Sequence, residues 1–108
     1  GGDRQGARRL LRELLTADEP YIQSAARRSL AQLDALDVMD ALTARIGQFQ
    51  SVTGRYPSSW NDLVRVRLLP GIPVDPTNVP YAYDPELHAV SLAHESSLNP
   101  LPQGLGLR

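Results

Sequence analysis

The sequence predicts an α+β fold that is mainly α, and three observations predict it. Apolar residues recur every three or four positions almost continuously up to Thr53. Prolines, glycines and the only Trp then crowd the stretch from Gly54 to Pro80. Beyond it, Tyr81–Asp84 and His88–Leu92 alternate as short strands across a Pro-containing turn. The expected architecture is an N-terminal helical hairpin, a third and longer helix, a short capped helix, and a small C-terminal two-stranded antiparallel hairpin packed on the third helix. Residues 1–36 form the helical hairpin. Residues 37–108 form the helix, loop and β-hairpin cap, closing into one compact unit.

Ala7, Leu10, Leu11, Leu14 and Leu15 fall at i, i+3, i+4, i+7 and i+8, which predicts a helix over 5–16 with these residues on its buried face. Arg4, Arg8, Arg9 and Arg12 take the other faces. They read either as a patch for phosphate or an acidic partner or as a solvated face, and the second is the commoner outcome for a charge run on an amphipathic helix. Thr16–Pro20 is a connector. Asp18 reads as the N-cap of a second helix, with Pro20 in the first turn, where its missing N–H costs nothing. This helix spans about Glu19–Leu33 and turns Ile22, Ala25, Ala26, Leu30 and Leu33 inward. Two helices on so short a link pack antiparallel.

The third helix spans about Asp37–Thr53, with a seam of Met39, Leu42, Ile46 and Phe49. No Gly or Pro parts it from the second, so two helices and one long bent helix both fit. Asp34, Asp37 and Asp40 read as helix-start acids, with Asp37 a capping residue, rather than a cation site. A calcium loop needs Gly and irregular backbone between its ligands. Gly54 stops the helix at the C′ position.

Tyr56 is extended because Pro57 follows it. Ser58 or Ser59 caps a short helix over about 60–67, and Ser59 and Asp62 have capping-box spacing. That helix buries Trp60, Leu63 and Val64, leaves Arg65 and Arg67 to water, and ends in Leu68–Gly71. The prolines of Ile72–Pro76 exclude helix and central strand, so this is an ordered loop across the core. Asp84–Leu87 turns the β-hairpin, which needs a packing partner to be stable. Residues 93–108 are an irregular tail stapled by Leu98, Leu101 and Leu105, with mobile last residues.

A formal net charge of −1 argues against nucleic acid as a partner, since non-specific binding needs a basic surface. The absence of Cys removes disulfides and Cys-based metal sites. No apolar run approaches the roughly 20 residues that span a bilayer, so this segment does not insert in a membrane. No signal peptide opens the sequence, and Gly1-Gly2 reads as a cloning scar. Every basic side chain is Arg, a composition typical of GC-rich bacterial genomes.

Two resemblances follow from these residues. Over about 5–36, a Leu-rich helix, an Asp/Glu-Pro-Tyr link and a second helix with Ala25-Ala26 closing on Leu33 resemble the last unit of a tetratricopeptide-type array, which implies further repeats upstream. Over about 40–92, the succession Gly54, Tyr56, Pro57, Leu63, Leu69, Pro73, Asp75, Pro76, Pro80, Tyr81 and Tyr83 resembles the globular domain of type II secretion major pseudopilins and related type IV pilin-like proteins. Three features depart from that family. An amphipathic helix replaces the hydrophobic N-terminal anchor. Asn78-Val79 stands where Gly is usual. The Asp-rich calcium loop is missing, so neither calcium binding nor filament formation is carried over. The resemblance implies a bacterial pilin-like scaffold whose partners are components of a type IV pilus or type II secretion machine. It favours the cell envelope or periplasm and leaves the cytoplasm open.

No residue set points to catalysis, a cofactor or a metal. His88 and His94 lack a third ligand at fitting spacing. Asp75, next to Pro76, reads as a loop residue bonding neighbouring N–H groups. Ser58 and Ser59 lack a Gly-rich nucleophile elbow. The candidate partner-binding residues are Trp60, Tyr81, Tyr83, Arg65 and Arg67, and the competing place for the three aromatics is the core. The expected function is protein binding by a non-catalytic module, the C-terminal part of a larger helical-repeat protein. The alternative is a structural cap that shields the last repeat of a solenoid and binds nothing itself.

Overall fold

Helix α1 (Asp3–Leu14) opens the computed structural model, which describes residues 3–102. It is followed by α2 (Pro20–Thr53), α3 (Trp60–Arg65), β1 (Ala82–Asp84) and β2 (Ala89–Ser91). The mainly helical α+β architecture holds. The chain forms two compact units, one of residues up to Asp34 with the tail from Pro100, the other Ala35–Asn99. Gly1-Gly2, Leu105 and the chain end expected to be mobile lie outside the described residues.

The seating of α1 corrects the expectation. Arg4 and Arg8 are buried at 8% exposure each, whereas Leu10 and Leu14 are 65% and 44% exposed. Ala7, Leu11 and Leu15 are half-buried, so the helix is rolled about its axis toward its arginines. The reason is a partner: Arg8 Nη2 donates to Asp34 Oδ1 at 3.1 Å. An Arg stem covers apolar surface as well as a Leu does once its guanidinium is paired. In the same unit Gln32 Nε2 donates to the Pro100 carbonyl at 3.1 Å. The cap of α2 also differs: the Glu19 carbonyl, not Asp18, accepts from the amides of Ile22 (3.0 Å) and Gln23 (3.2 Å).

The expected second and third helices are one 34-residue helix. Its buried positions run Ala26 and Leu33, then Ala35, Met39, Leu42, Ile46 and Phe49. Successive residues turn by about 100°, so the apolar stripe slips phase between Leu33 and Ala35. The backbone has no reason to break there, and the sequence reads as two segments only because the stripe changes face. Asp37 is therefore a mid-helix residue, and Ala25 is exposed. Gly54 ends the helix at φ 79°, with its amide on the Gln50 carbonyl at 2.8 Å.

α3 ends in a Schellman motif. The Arg67 amide bonds the Val64 carbonyl and the Leu68 amide bonds the Leu63 carbonyl, both at 3.0 Å. The left-handed C′ residue is thus Arg67, at φ 64°. β1 and β2 pair antiparallel with Ala82 opposite Ser91, Tyr83 opposite Val90 and Asp84 opposite Ala89. His88 leaves the expected strand and closes the turn in the left-handed region at φ 55°. Asp84 Oδ1 accepts from the amides of Glu86 and Leu87 at 2.8 and 3.2 Å, which sets the turn.

An L-residue in the left-handed region costs about 1–2 kcal/mol, and Gly gives back part of that through unfolded-state entropy. Arg67→Gly is therefore expected to raise the unfolding free energy by about 0.5–1 kcal/mol in urea titration. An unchanged or lower value contradicts the strained C′ assignment.

Candidate functional site

Pro57 is fully buried, and it fixes where the chain leaves Gly54 and enters α3. Tyr83 Oη on β1 donates to the Pro57 carbonyl at 2.7 Å, and Trp60 Nε1 on α3 donates to the Tyr81 carbonyl at 2.9 Å. The Trp60 and Tyr83 rings meet at 5.2 Å, tilted by 41°. These contacts tie α3 to the hairpin. Burial raises the Tyr83 pKa, with the charges of Asp62 and Asp84 adding to it, so its hydroxyl remains a donor. Trp60 and Tyr81 are 8% and 3% exposed. They are core side chains, the place that competes with partner binding for them in the sequence. Tyr83 is half-buried; Arg65 and Arg67 are exposed.

Asp62, buried at 4% exposure, is the hub of this region. Its Oδ2 accepts from the Ser58 amide at 2.8 Å, from Ser58 Oγ at 2.9 Å and from Arg55 Nη1 at 3.5 Å. Its Oδ1 accepts from Arg65 Nη2. The capping box is thus displaced by one residue: Asp62 reaches back to Ser58, while Ser59 occupies the N-cap without a side-chain bond. The Ser58 amide and hydroxyl, outweighing burial and aided by Arg65, hold the Asp62 carboxyl well below the usual carboxylate range.

Around that carboxylate lies a face that sequence reasoning only half found. The Arg55 and Arg65 side chains are 63% and 73% exposed, and Arg55 also sits 5.1 Å over the Phe49 ring. Tyr56 and His88 stack in parallel with ring centroids 3.6 Å apart. Arg65 was legible in the sequence; Arg55, Tyr56 and His88 were not, because nothing in the intervening residues announces that position 88 returns to position 56.

Asp75 plays a second structural part. Its Oδ1 accepts from the Thr77 amide and hydroxyl, both at 2.6 Å, and from the Val79 amide at 3.4 Å. Its Oδ2 accepts from Ser96 Oγ at 2.6 Å. Asn78 lies in the left-handed region at φ 69°, which Asn tolerates better than most residues. Val38, Ala41 and Leu42 of α2 and Leu69–Pro73 line an open apolar groove of about 500 Å³. Among the described residues, no three His, Asp or Glu side chains gather to hold a metal ion, and no helix is long and apolar enough to cross a membrane. His94 is exposed.

The chain matches no protein-family model, and comparison with curated proteins and with solved structures gives no significant match.

Burial alone would push the Asp75 carboxyl up. The hydrogen bonds from Ser96, Thr77 and Val79 outweigh it and hold the pKa below its ordinary value of 3.8. A depressed folded-state value stabilises the fold above the ordinary pKa, and that contribution is lost as pH falls through the folded value. Asp75→Asn is expected to cost about 2 kcal/mol at pH 7, with the gap to the parent chain closing in acid well below pH 4. Chemical denaturation across pH checks this; a gap that stays constant down to strong acid contradicts it.

Proposed function

We propose that the chain is a non-catalytic protein-interaction module of a larger bacterial helical-repeat protein serving a pilus or secretion-type envelope machine. The observation that carries the binding reading is the face where exposed Arg55 and Arg65 are tethered to one buried carboxylate beside the stacked Tyr56–His88 pair. Tyr and Arg are the residues that most often anchor interfaces, above all when held in place beforehand. Arg67 and Val66, 49% exposed, extend the same stretch of chain. The polar residues with chemical potential, Asp62, Asp75 and Ser58, are spent on backbone and loop contacts, which favours binding over catalysis. The pilus or secretion context rests on the pilin-like succession of residues alone. The second reading, a structural cap without a partner, is favoured by the burial of Trp60 and Tyr81.

The test is affinity capture from envelope and cytosol fractions, with the folded chain and its Tyr56→Ala/Arg65→Ala variant as baits. The expected result is enrichment of pilus or secretion components, reduced about tenfold with the variant. Equal capture by both baits would sink the proposed face. A blank with folded bait would favour the cap.

A further inference from the structure

We infer that the face around Arg55, Tyr56 and Arg65 takes a short acidic segment of a partner protein, whose carboxylates meet the two guanidinium groups. This rests on the reading of that face as a binding surface and adds the chemistry of its occupant. The face is held together through one carboxylate. Asp62 Oδ2 accepts from Arg55 Nη1 at 3.5 Å and from the Ser58 amide at 2.8 Å. Tyr56 lies between those two residues in the chain, so it stands at the edge of the cluster. It brings His88 with it through the parallel stack. Arg65 occupies the other oxygen, Oδ1, and exposed Arg67 follows two residues on.

The charges select the occupant. Over Ala35–Asn99 acidic side chains outnumber arginines, yet every arginine of that unit except Arg45 falls between positions 55 and 67. Arg55 and Arg65 share the single charge of Asp62, so positive charge is left over at the surface. Asp62 engages one Nη of each, and a guanidinium has five N–H donors in a planar fork that matches a carboxylate. Each therefore keeps donors for a second, incoming carboxylate. The other acids close to this face are Asp84 and Glu86, in the hairpin turn that carries His88. Asp84 Oδ1 is already engaged by the amides of Glu86 and Leu87; Glu86 is exposed. These two acids bound the cationic surface on the hairpin side. An extended polyanion such as a duplex or an anionic bilayer would meet them as well as the arginines, whereas a short acidic segment need not. Leu87, 75% exposed, and Tyr56, 44% exposed, offer apolar surface to a side chain that follows the acids.

NMR titration of the isotope-labelled chain tests this, with an end-blocked peptide of several glutamates and one phenylalanine as probe. The comparisons are the same peptide with glutamine for glutamate, vesicles of phosphatidylserine and phosphatidylcholine in equal parts, and a short DNA duplex. The expected result is saturable binding of the glutamate peptide at or below about 1 mM, with the shifts centred on Arg55, Tyr56, Arg65 and His88. Arg55→Gln and Arg65→Gln are each expected to weaken it about tenfold. Arg45→Gln removes the same charge elsewhere on α2 and is expected to change it by less than about twofold. The amide spectrum reports whether each variant keeps the fold. Absence of saturable binding overturns the inference, as does equal binding of the glutamine peptide or equal weakening by Arg45→Gln. Vesicle or duplex binding at this face as tight as the peptide's overturns it too. The affinity capture separates this failure from failure of the reading beneath it. A partner lost with Tyr56→Ala/Arg65→Ala, when the acidic peptide does not bind, leaves a binding face of another chemistry. Equal capture by both baits removes the face itself.

Discussion

The buried Asp75 carboxylate is the interaction on which the second half of the molecule depends. A loop holding Pro73, Pro76 and Pro80 is short of amide donors and cannot satisfy itself by regular structure. Asp75 solves this locally by accepting from Thr77 and Val79. It then spends its other oxygen on Ser96, in the tail. Ser96 Oγ in turn accepts from the Leu98 amide at 3.3 Å, which sets Leu98 at 3% exposure. One ionised side chain thus shapes the loop that follows Pro73 and fastens Ser96–Leu98.

Asp62 does the same work on the other side of α3. It is buried, ionised and supplied with donors from Ser58, Arg55 and Arg65. The consequence for function differs. Asp75 faces neutral donors and leaves no charge outside, whereas Asp62 holds two guanidinium groups at the surface. Two arginines on one carboxylate leave an excess positive charge and unspent N–H donors. The proposed interaction face takes its charge from this cationic pair, on the stretch of chain that also carries the stacked Tyr56.

Where a residue's role was decided by its neighbours in sequence, the sequence was readable. Gly54 stops α2, the alternation at Tyr81–Asp84 makes a strand, and Asp75 bonds amides two and four residues on. Where the role was decided by a distant residue, it was not. Leu10 and Leu14 carry the periodicity of a buried face, yet Asp34 draws Arg8 inward and turns that edge to water. The Tyr81 carbonyl finds its donor, Trp60 Nε1, only across 21 residues. Tyr56 and His88 acquire a role only by meeting each other. The stop of α3 at Arg67 was hidden for another reason: a left-handed C′ position is usually Gly, and an Arg there gives no signal.

The measurement that bears most directly on this account is a carbon-detected NMR titration of the Asp75 side-chain carboxyl, followed together with the Ser96 and Leu98 amides. The account predicts a carboxyl signal that stays unprotonated through the ordinary carboxylate value of 3.8 and changes only at lower pH, in step with loss of the native Ser96 and Leu98 signals. Protonation of Asp75 at or above its ordinary value, with the Ser96 and Leu98 signals still native, would contradict it.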